Sequence, residues 1–182
     1  MEFAFHLKYQ LSAEDSDRND VVERLIETGC GDALIRTGQP GRLSLSFIRP
    51  APNADAAVLG ALHAVKRAVP SVRLIEVGPD LVGLTDVAEL VGVSRQNMRK
   101  LMLTHASSFP PPMHEGNASS VWHLSHVLGW LKSRGHYSLD ASVMDISRIA
   151  MQVNLAKEML HMEGEHQALR NLLRAAVGGG VS

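Results

Sequence analysis

The sequence predicts an α+β protein in three parts. A β-α-β-β-α-β unit spans residues 1–79, a helix-turn-helix unit spans 80–136, and one long helix runs over 140–176, followed by a disordered tail at 177–182. Three observations predict this. Residues 2–11 and 42–48 alternate apolar and polar, the period of a half-buried strand. Leu84 to Leu101 holds two short helical patterns split by Gly92. From Ala141 onward, apolar residues recur at intervals of three and four.

In the first strand Phe3, Phe5, Leu7, Tyr9 and Leu11 share one face, and Glu2, His6, Lys8 and Gln10 share the other. Residues 12–19 are a polar connection. A helix over 20–28 follows, with Val21, Val22, Leu25 and Ile26 at helical spacing, and Gly29 and Gly31 end it. Residues 32–37 form a short strand, Gly38-Gln39-Pro40-Gly41 a turn, and 42–48 a second strand with Leu43, Leu45 and Phe47 opposed to Ser44 and Ser46. Asn53 or Asp55 caps a helix running to Ala68, striped by Val58, Ala61, Leu62 and Val65. Pro70 closes it, and 72–77 is the last strand. This element order suggests a ferredoxin-like sandwich, an antiparallel sheet with two helices on one face. That fold serves many roles, so the unit stands open between a sensor or self-association module and a stabilising appendage. No phosphate-cradling Gly loop, paired Cys or His-Glu metal spacing occurs in this half. His6 reads as a solvated side chain.

Gly78-Pro79-Asp80 marks the boundary. In the next unit Thr85 caps a first helix, with Asp86 and Glu89 where the helix dipole favours negative charge and Val87, Ala88 and Leu90 on its apolar side. Gly92 sits at the sharp turn, and Ser94 caps a second helix. Met98, Leu101 and Met102 face inward; Arg95, Gln96, Asn97, Arg99 and Lys100 face outward. A helix-turn-helix presents such a polar second helix to the DNA major groove. Arg matches guanine O6 and N7, and Gln and Asn match adenine. Pro110 to Pro112 cannot continue a helix. Residues 115–120 form a hairpin tip, Val121 and Trp122 a returning strand, and 124–132 another helix.

The run Thr85, Val87, Ala88, Gly92, Val93, Ser94, Arg99, Lys100, Leu101, then Trp122 and Trp130, resembles the winged helix-turn-helix of the MerR and phage-excisionase (AlpA-like) group. The resemblance covers about Leu81 to Arg134 and departs from the group in a Pro-rich wing with few basic residues. It implies a bacterial or phage DNA-binding regulator whose partner is double-stranded DNA. Arg95, Gln96 and Asn97 then read base edges, and Arg99 and Lys100 hold phosphates. Thr85 and Ser94 add contacts at helix N-termini, and His114 and Asn117 carry the wing's contacts. It also implies a homodimer through the C-terminal helix.

That helix carries Val143, Ile146, Ile149, Ala150, Val153, Ala156, Met159 and Leu160, then Leu169, Leu172 and Leu173 beyond Gly164. A stripe this long on a small chain is expected to pair with a second copy; the alternative is that it folds back on the first unit. Trp122 and Trp130 are expected as core anchors.

Composition narrows the classes. The 182 residues carry a net charge of −1, which argues against a protein that coats nucleic acid through a global field. Between 85 and 135 five basic residues against three acidic leave +2. No apolar run approaches the ~18 residues of a membrane span, so no membrane partner is expected. The one cysteine, Cys30, suits a reducing cytoplasm and reads as packing rather than chemistry. Nine histidines include His123/His126 and His161/His166, but without Cys or carboxylates at ligand spacing no metal and no cofactor is expected. No nucleophile-base set points to an enzyme. Two further readings stay open: a protein-interaction adaptor docking through the helix-turn-helix, and an excisionase-like architectural protein. A small-molecule effector is unspecified.

Overall fold

The alternating stretches form strands, and their apolar residues turn to one side. The structure, a computed structural model, describes residues 1–116, 119–161 and 169. The chain is α+β. Its first part runs β1 (Glu2–Gln10), α1 (Arg18–Leu25), β2 (Leu34–Arg36), β3 (Arg42–Pro50), α2 (Ala54–Ala68) and β4 (Arg73–Gly78). The strands pair antiparallel in the order β2-β3-β1-β4. Phe5 sits opposite Phe47 and Leu7 opposite Leu45, and the Phe5 and Phe47 rings stack at 4.9 Å. Phe3, Phe5, Leu7, Tyr9, Leu43, Leu45 and Phe47 are all buried against the helices.

The helix ends follow local chemistry. Asp17 caps α1, its carboxylate accepting from the amides of Asn19 at 3.0 Å and Asp20 at 3.3 Å. The helix therefore starts before the expected Asp20. Past Leu25 the chain widens into a turn of π-helix over Ile26–Cys30, where Gly29 takes φ 100°, a conformation side chains disfavour. For α2 the cap is Asn53, accepting from the Ala56 amide at 2.8 Å, and not Asp55.

The second part runs β5 (Leu81–Val82), α3 (Leu84–Leu90), α4 (Arg95–Thr104), β6 (His114–Glu115), β7 (Ser120–His123) and α5 (Leu124–Ser133). Its small sheet has the order β5-β7-β6. Val82, Val87, Ala88, Met98, Phe109, Trp122, Leu124, Val127, Leu128 and Leu131 form its core. Trp122 is buried and donates from Nε1 to the Pro110 carbonyl at 3.0 Å. Trp130 is only half-buried, with the Arg134 guanidinium 4.6 Å over its ring.

The last helix, α6 (Ala141–His161), takes the fold-back arrangement over its first turns. There its stripe belongs to the chain's own cores. Val143 and Met144 pack against the second core, and Ile146, Ile149 and Ala150 are buried in the first. A third helix thus joins the two expected on the sheet's inner face. It also closes an edge. β4 ends the sheet on one side, and Asn154 satisfies it as a neighbouring strand would. Asn154 Oδ1 accepts from the Val77 amide at 2.9 Å and Nδ2 donates to the Val77 carbonyl at 2.8 Å. Toward its distal end Leu155, Ala156, Met159 and Leu160 are exposed. Gly164, His166, Leu172, Leu173 and the 177–182 tail lie outside the described residues. Among the described residues no helix is long and apolar enough to cross a membrane.

Candidate nucleic-acid interface

The turn between α3 and α4 is a Schellman motif. Gly92 takes φ 73°, its amide donates to the Glu89 carbonyl at 3.2 Å, and the Val93 amide reaches back to Ala88 at 2.9 Å. Those bonds satisfy the last carbonyls of α3 and fix the angle at which α4 departs. Ser94 then caps α4, its hydroxyl accepting from the Asn97 amide at 3.1 Å. Thr85 does not cap α3, as the sequence suggested. The cap is Gly83, and Asp86 reaches back to its amide at 2.8 Å, the reciprocal half of a capping box; glycine has no side chain to supply the other half. Leu90, expected inward, is exposed.

Met98 anchors α4; it is fully buried. Its burial turns Arg95, Gln96, Asn97, Arg99 and Lys100 outward, and all five are exposed. Among the described residues their side chains make no hydrogen bond or ion pair with any other residue. Arg95 and Arg99 line a groove of about 310 Å³ together with Thr85 and Asp86 and with Ser119 and Ser120 of the β6–β7 hairpin. Gln96, Asn97 and Lys100 lie outside this groove. So the structure brings Thr85, Arg95 and Arg99 together. His114 is exposed on β6 but faces a different cavity. Asn117 lies outside the described residues.

That second cavity, about 620 Å³, lies where β4, the small sheet and α6 meet, with His6, Glu76, His114 and Leu155 on its walls. At its base is a polar node that the sequence does not reveal. His123 Nδ1 lies 2.6 Å from Asp80 Oδ1, and both residues are buried. Asn154 Nδ2 donates to Asp80 Oδ2 at 2.7 Å, and the Leu124 amide donates to the Asp80 carbonyl at 2.7 Å. Asp80 thereby ties the inter-unit linker to β7, α5 and α6. On the wall, the Glu76 carboxyl is held down to about 2 by His6 and Lys8. His6 Nε2, at 3.8 Å, is too far for a hydrogen bond, so the Lys8 ammonium at 2.6 Å is the stronger hold.

Cys30 is buried, and burial pushes its thiol up, away from the reactive thiolate. Among the described residues no three His, Cys, Asp or Glu side chains gather as a metal site. Comparison with known proteins finds no matching family model, curated protein or solved structure.

Proposed function

We propose that the chain is a sequence-specific regulator of double-stranded DNA, built as a ferredoxin-like sandwich joined to a winged helix-turn-helix of the MerR and phage-excisionase kind. One observation carries this reading. The outward face of α4 holds five polar residues that have no side-chain partner among the described residues, on a helix whose position is set by a cap, a Schellman turn and a buried methionine. A helix so fixed and so open is suited to a groove. Arg95, Gln96 and Asn97, at its N-terminal end, read base edges; Arg99 and Lys100 hold phosphates. The groove between Arg95, Arg99 and the hairpin admits the sugar-phosphate backbone.

The local charge is weak for a single copy, so two copies act together. The surface for pairing is the distal part of α6, where Leu155, Met159 and Leu160 are exposed. Selection of bound sequences from random duplexes tests this. Recovery of a two-fold related motif supports both base reading and pairing; recovery of no motif contradicts base reading.

The adaptor reading draws on the mildly negative total charge and on the exposed Leu90 and Leu103 of α3 and α4. A salt titration separates the two. DNA affinity that falls steeply with salt marks phosphate contact, and no DNA binding at low salt favours the adaptor.

A further inference from the structure

We propose that the open face of the four-stranded sheet binds a small phosphate ester that also carries hydroxyl groups, a sugar phosphate or nucleotide in class, beside the turn at 38–41. The register builds the site. Arg36 lies opposite Ser44, Ser44 opposite Lys8, and Lys8 opposite Glu76, so the four form one row across all the strands. Arg42, Gln10 and Arg73 form the next row. Strands lie about 4.8 Å apart, so Arg36, Ser44 and Lys8 project from the same face on neighbouring strands, with Arg42 two residues from Ser44 on β3. A cavity of about 420 Å³ opens there, lined by Lys8, Arg36, Gln39, Arg42, Ser44 and Glu76. That volume falls within the roughly 300–1,000 Å³ of small-molecule sites.

The arginines divide by partner. Arg24 and Arg49 each sit on carboxylates, Asp15 at 2.9 Å and Asp32 at 2.6 Å, and so serve the fold. Among the described residues Arg36, Arg42, Arg73 and the Ser44 hydroxyl make no side-chain hydrogen bond or ion pair. Three cations, Lys8, Arg36 and Arg42, line the cavity beside one acid, Glu76, and Lys8 alone of the three is paired with it. The guanidinium fork matches phosphate oxygens in pairs.

Glu76 decides which kind of phosphate. Its carboxyl is ionised at neutral pH, and the Lys8 ammonium at 2.6 Å holds it beside the cations. It repels a continuous polyanion but accepts hydrogen bonds from hydroxyls. A nucleic-acid strand would also need stacking platforms, and here Phe3, Phe5, Tyr9 and Phe47 all point into the core. A discrete phosphorylated polyol satisfies both halves of the site.

Calorimetric titration of the full chain with ribose 5-phosphate, inorganic phosphate and ribose tests this. Ribose 5-phosphate is expected to bind, more tightly than inorganic phosphate, with ribose silent. Arg36→Ala with Arg42→Ala is expected to weaken it at least tenfold without moving the thermal melt, since both side chains are exposed. Glu76→Gln is expected to weaken ribose 5-phosphate and strengthen inorganic phosphate. Silence up to on the order of 10 mM ribose 5-phosphate overturns the proposal. So does a double variant that titrates like the parent, or one that loses only duplex affinity, which would mark the face as a DNA contact. Equal affinity for the two phosphates overturns the role of Glu76.

Discussion

Helices α4 and α6 are both amphipathic, but their polar residues have opposite fates. On α6, Asn154 binds the backbone of β4 and the Asp80 carboxylate, Lys157 donates to the Ile75 carbonyl, and Ser147 donates to Met144. On α4, the outward side chains of Arg95, Gln96, Asn97, Arg99 and Lys100 bind nothing within the described chain. Polar groups that close a strand edge act on stability, because losing them strands a buried partner. Polar groups without protein partners keep water, which a ligand can replace. Changes in α6 should therefore act on folding, and changes on the outer face of α4 on binding.

The largest effect is expected at Ile146, which is 1% exposed on the side of α6 facing the first core. Ile146→Ala should cost about 2–5 kcal/mol through lost contacts and a residual cavity. Both tryptophans lie in the second unit, so their fluorescence follows that unit alone. Because α6 enters both cores, the fluorescence and far-ultraviolet transitions should move down together. A fluorescence transition that stays in place would show that α6 does not couple the units.

Next comes Asn154→Leu, which leaves the Val77 amide, the Val77 carbonyl and Asp80 Oδ2 without that partner. Denaturant unfolding should show a loss of about 1–3 kcal/mol, with DNA affinity of the folded protein unchanged. An equal loss of affinity at conditions where the variant is fully folded would break the contrast between the two helices.

Ser94→Ala sharpens the contrast from the other side. It removes the cap of α4 and should cost about 1 kcal/mol. It should also weaken DNA binding, because it loosens the end that carries Arg95. Serine-to-threonine exchange at the same position should restore both.

The smallest expected effect is acid dependence at Glu76. Its folded value, about 2, lies below the ordinary 4.5. The stabilisation it brings is therefore complete above 4.5 and is lost as pH falls through that value toward 2. The Glu76 side chain is 38% exposed, so solvent screening keeps the size modest. The stability gap between the parent and Glu76→Gln should narrow between about pH 5 and about pH 2. A gap that widens on acidification would reverse the assignment.

The strands of the first unit were legible because alternation at Phe3 to Leu11 and Leu43 to Phe47 has only one physical solution, a sheet with one face covered. Gly92 and Ser94 were legible for local reasons: a left-handed turn and a cap announce themselves in the residues that make them. The place of α6 was legible only as two alternatives. A stripe of Ile146, Ile149 and Ala150 looks the same whether it packs on the chain's own sheet or on a second copy. The polar node was invisible because its members are far apart in sequence; His123 is 43 residues and Asn154 is 74 residues from Asp80. β5 is two residues long, too short to show a period. Thr85 has a capping side chain and Gly83 has none, so residue type alone points to the wrong one of the two.

The central claim is that the outer face of α4 reads bases, and Arg95→Ala measured beside Lys100→Ala tests it most directly. Binding of each variant is compared on a selected duplex and on single-base variants of it, across a salt series. Arg95→Ala should cost about 1–3 kcal/mol on the selected duplex and flatten the preference at one position. Lys100→Ala should weaken all duplexes alike and lower the salt slope by about 1. Two variants that weaken every duplex equally would contradict base reading, and variants that change nothing would remove α4 from the interface.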